Sequence, residues 1–83
     1  MLTRIQFIDD DQDTVSCILR PFIQQTADRH GLKFEHIAIP LPTQQIPLIV
    51  FKDENDNAIW ESQFRLPGYF DEQATLMLDN SRQ

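Results

Sequence analysis

The sequence predicts a small α+β domain with the element order β-α-β-β-β-α, a four-stranded mixed sheet carrying two helices on one face. Three observations lead there. Residues 14–30 place apolar side chains at helical spacing between Asp13 and Gly31. Leu48-Ile49-Val50-Phe51 is a continuous apolar run suited to a central strand. A polar turn then leads to another strand-like stretch, and Pro67-Gly68 breaks the chain before a final helical segment.

Taken in order, Thr3 to Ile8 reads as a strand, mixed apolar and β-branched. Asp9 to Asp13 reads as an acidic loop entering a helix. The helix runs from Thr14 to His30, with Val15, Ile18, Leu19, Phe22, Ile23 and Ala27 as its buried stripe. Asp13 is its N-cap and Gly31 its C′ residue. Pro21 removes one backbone donor, so a kink or split is expected there. Lys33 to Ile39 is the second strand, which Pro40 and Pro42 cannot continue. Leu48 to Phe51 is the third. Asp53 to Asn57 is a turn rich in residues that tolerate left-handed backbone. Ala58 to Phe64 is the fourth strand, and Asp71 caps a last helix to Leu78.

At 83 residues the chain is expected to form one domain over residues 1–83. Seven basic against thirteen acidic residues give a net charge of -6. Phosphate backbones repel such a surface, so nucleic acid is excluded as a ligand and a basic protein partner suits it better. The single cysteine, Cys17, permits no internal disulfide and fits a reducing compartment, so the cytoplasm is the expected location. No apolar run approaches a membrane span of about 20 residues. Gly-rich phosphate loops, zinc-ligand spacing and nucleophile elbows are missing. The Asp9-to-Asp13 loop lacks the glycine and glutamate of an EF-hand, since those positions hold Thr14 and Arg20. His30 and His36 stand far in sequence from any partner set, so neither is expected to be catalytic. Trp60, Phe64, Tyr69 and Phe70 are expected to fill the core between hairpin and last helix.

Ile46-Pro47 before the third strand, the hairpin that follows, and Gly68-Tyr69 before the last helix occur in an order that resembles the thioredoxin and glutaredoxin families. The chain resembles a degenerate member without their Cys-x-x-Cys motif. The resemblance implies a sheet order of 2-1-3-4 and a cis bond between Ile46 and Pro47. Two departures stand out. The family's helix between the second strand and the cis-proline strand is missing, since only residues 40–45 join Ile39 to Ile46. A bridge across two strand spacings, about 10 Å, is within reach of such a link. The sheet face that helix would cover is therefore expected to be open.

The second departure is chemical. The family's motif sits where the first strand hands over to the first helix. One alignment puts Thr14-Val15-Ser16-Cys17 over it, another Asp13-Thr14-Val15-Ser16, and neither places a cysteine in the nucleophile position. Acids at positions 9, 10, 11 and 13 disfavour a thiolate nearby and repel anionic glutathione. The leading expectation is a non-catalytic thioredoxin-like binding module: an adaptor, inhibitor or assembly factor, of the kind a phage, plasmid or bacterial operon would encode. The expected contact residues are Thr14, Cys17, Ile46 and Pro47 around the former redox position, and Gln6 and Ile8 on the open sheet face. That open face would meet a protein partner or a second copy. No cofactor and no metal are expected, and the reading leans away from an enzyme. The alternatives are a glutaredoxin-type oxidoreductase using Cys17 and an acidic mimic of nucleic acid.

Overall fold

The computed structural model describes residues 1–40, 47–63 and 65–81. The elements are β1 (Leu2–Asp9), α1 (Thr14–Arg29), β2 (Lys33–Ala38), β3 (Leu48–Asp53), β4 (Ala58–Ser62) and α2 (Pro67–Ser81). The strands form one mixed sheet in the order β2-β1-β3-β4. β1 pairs parallel with β2 and antiparallel with β3, and β3 pairs antiparallel with β4. Parallel pairing needs a crossover, and α1 supplies it. Strand order and element order are those expected. The Ile46–Pro47 bond, the link through residues 41–46 and Phe64 lie outside the described residues.

Both helices pack on one face of the sheet. Ile5 and Phe7 of β1 and Ile49 and Phe51 of β3 meet Leu19, Ile23 and Ala27 of α1 and Phe70, Ala74 and Leu78 of α2 in one core. Trp60 leans on this core from β4, its ring 4.7 Å from Phe51, 5.9 Å from Tyr69 and 6.0 Å from Phe70. Of the aromatics expected to fill the core, Phe70 is buried and Trp60 partly so, whereas Tyr69 is exposed and packs on their outer edge.

Four local expectations need correction. First, the apolar stripe of α1 is divided. Leu19, Ile23 and Ala27 are buried with Ser16 and Thr26, but Val15, Ile18 and Phe22 stand 49%, 63% and 47% exposed. The apolar sector is wider than the contact that sheet and α2 can offer. Ser16 is tolerated inside because its hydroxyl donates to Asp13, and Thr26 because its hydroxyl donates to the Phe22 carbonyl. Second, α1 runs unbroken through Pro21. The missing donor costs only the Cys17 carbonyl its helical partner. Third, α2 begins at Pro67, so Asp71 lies inside it rather than capping it. Proline suits the first helical turn because its absent N–H would have no helical partner there. Asp71 instead accepts from Arg29 and approaches His30 Nε2 at 3.2 Å, tying α2 to the end of α1. Fourth, Asp9 belongs to β1 and not to the acidic loop.

Two turns show why the chain reverses where it does. Gly31, at φ 68°, ends α1 with Leu32 N donating to Ala27 O at 2.8 Å and Gly31 N to Asp28 O at 3.2 Å. In the β3–β4 turn, the Asp53 carboxylate accepts from the backbone N–H of Asn57 and of Asn55, both at 2.9 Å, while Asp56 takes φ 67°. The Asn57 N–H first, with Asn55 assisting, holds the Asp53 carboxyl below the ordinary value of 3.8.

Two predictions follow from these turns. A Cβ at Gly31 meets nothing within 4 Å, so Gly31→Ala carries only the conformational penalty of left-handed backbone, about 1 kcal/mol. A urea titration should show that loss, and an unchanged midpoint would contradict it. The depressed Asp53 carboxyl lends the hairpin stability that is full above 3.8 and is lost as pH falls through the lower folded value. A carbon-13 titration should place Asp53 below 3.8; a midpoint at or above it would remove the turn from the acid-side stability.

Candidate functional site

β1 carries Ile5, Phe7 and Asp9 on one face, the face the helices cover. Asp9 is therefore driven inside and is 0% exposed. A buried carboxylate needs partners. One oxygen receives Arg20 Nη2 from α1 at 2.9 Å, and the other lies 2.6 Å from His36 Nε2 on β2. Asp11, on the loop, stands 3.6 Å from both Arg20 Nη2 and His36 Nε2. The cluster closes one end of the sheet, where β1 hands over to α1.

One imidazole and two carboxylates with donor atoms within 4.8 Å make a set that a divalent cation accepts. The Arg20 guanidinium already stands against both carboxylates, so a metal ion would have to displace it. The arrangement is that of a structural clamp.

Cys17 is exposed on the opposite side of α1 from the core. Its thiol donates to the Asp11 carbonyl at 3.3 Å and accepts from Arg20 Nη2 at 3.7 Å. Its amide already donates to Asp13 O, so Cys17 lies past the free N–H groups of the helix start. Asp13 caps the helix start through one of them, Ser16 N. Its carboxylate accepts from Ser16 N and Ser16 Oγ, each at 2.8 Å. Thr14 is exposed at the first turn.

The remaining expected contact residues divide. Pro47 is fully buried. Leu48 pairs with Ile8, so Pro47 sits level with Asp9 at the same end of the sheet as Thr14 and Cys17. Ile46 lies outside the described residues. Gln6 and Ile8 point to the face without helices, as expected. Gln6 is only 8% exposed, donating to Glu35, and Ile8 is half-buried. Long side chains thus cover much of that face: Arg4 and Lys52 lean over it to pair with Asp56.

Outward apolar surface appears elsewhere. Val15, Ile18, Leu19 and Phe22 form with Pro67 a groove of about 350 Å³ in which every lining residue is apolar. Leu66, 75% exposed, stands next to Pro67.

Two features escaped the sequence reading. Asp9, Arg20 and His36 come together, although His36 was expected to stand apart. The parity of Ile5, Phe7 and Asp9 on one strand was the available signal. The groove escaped because all apolar positions of α1 were assigned to the core.

The sheet order, the parallel β1-α1-β2 unit and the antiparallel hairpin with its closing helix define a thioredoxin-like fold. The structure is similar to that of thioredoxin 1 from the thermophilic eubacterium Thermosipho africanus TCF52B, with a TM-score of 0.70 and 19% identity, covering 94% of this chain and 99% of that one. No protein-family model matches the chain, and no curated protein matches it in sequence. The single cysteine is consistent with the lack of a Cys-x-x-Cys motif.

If Arg20 clamps Asp9, Arg20→Met leaves a buried carboxylate with one partner fewer. The expected loss is about 1–3 kcal/mol in chemical unfolding. An unchanged midpoint would mean that water or His36 alone satisfies Asp9.

Proposed function

We propose that this chain is a binding module built on the thioredoxin-like fold, working through protein contacts and without disulfide exchange, in the cytoplasm. Asp13 carries this reading. The start of α1 is where a thiolate would draw on free N–H groups and the helix dipole. Here the chain's own carboxylate caps the helix start through the Ser16 N–H, and the one cysteine lies beyond the free N–H groups.

The second reading, a glutaredoxin-type thiol enzyme, is favoured by the guanidinium of Arg20 beside the Cys17 sulfur. Against it, a monothiol cycle needs anionic glutathione, and the chain carries acids at positions 10, 11 and 13 just before Cys17, with the Asp11 carbonyl against its sulfur.

Two assays separate these readings: insulin reduction with dithiothreitol, and reduction of hydroxyethyl disulfide with glutathione. The expected result is turnover at the blank rate for the wild type and for Cys17→Ser alike. Turnover that disappears in Cys17→Ser would replace the binding module with the oxidoreductase.

A further inference from the structure

We draw no further inference here: the strongest candidate, the apolar groove that Val15, Ile18, Leu19 and Phe22 of α1 form with Pro67 at the start of α2, carries none because nothing in the structure shows what covers it.

Discussion

Asp9 is the interaction on which this end of the molecule depends. It closes β1, accepts Arg20 from α1, meets His36 of β2, and through its carbonyl receives Ile39 N at 2.8 Å. All three elements of the parallel unit are thereby fixed at one residue. Hydrophobic burial of Ile5 and Phe7 brings α1 onto the sheet but sets no rotation about the helix axis. A directional ion pair between residues eleven apart, Asp9 and Arg20, does. It turns Leu19 and Ile23 inward and leaves Val15 and Ile18 on the shoulder.

How legible this was in the sequence varies with the kind of physics involved. Strand and helix order followed from periodicity and turn residues, because those are local and the apolar pattern repeats over several residues. The Gly31 cap was equally local. Element ends were misplaced where tertiary partners decide them. Asp71 looked like a cap because capping residues and ion-pair residues are the same types; only the proximity of Arg29 and His30 settles its role. The division of the α1 stripe was hidden for a related reason. Six apolar positions on one helix say that an apolar face exists, while the width of the face that gets covered depends on how closely α2 approaches. The Asp9 clamp was partly legible through strand parity, but its partners come from two other elements.

The two faces of the sheet manage exposure in different ways. Toward the helices, burial is by aliphatic and aromatic packing. On the other face a cationic row, Arg4 with Lys33 and Lys52, lies beside Gln6, Glu35, Val50 and Glu61, and then beside Ile8, Ile37 and Leu48. Long polar side chains fold over that surface, so Val50 is 5% exposed without a covering helix. On the shoulder of α1, by contrast, Val15, Ile18 and Phe22 stand exposed.

The chemistry at the start of α1 shows how this fold can stand without thiols. A helix N-terminus has N–H groups that must be satisfied and a partial positive charge that favours an anion. A thiolate can meet that need, and so can a carboxylate one residue before the helix. Asp13 does so for Ser16, whose backbone N–H and hydroxyl each donate to its carboxylate at 2.8 Å. The demand comes from the backbone, so the scaffold does not distinguish between the two anions. A thiolate there is a nucleophile, whereas the Asp13 carboxylate is committed to its cap.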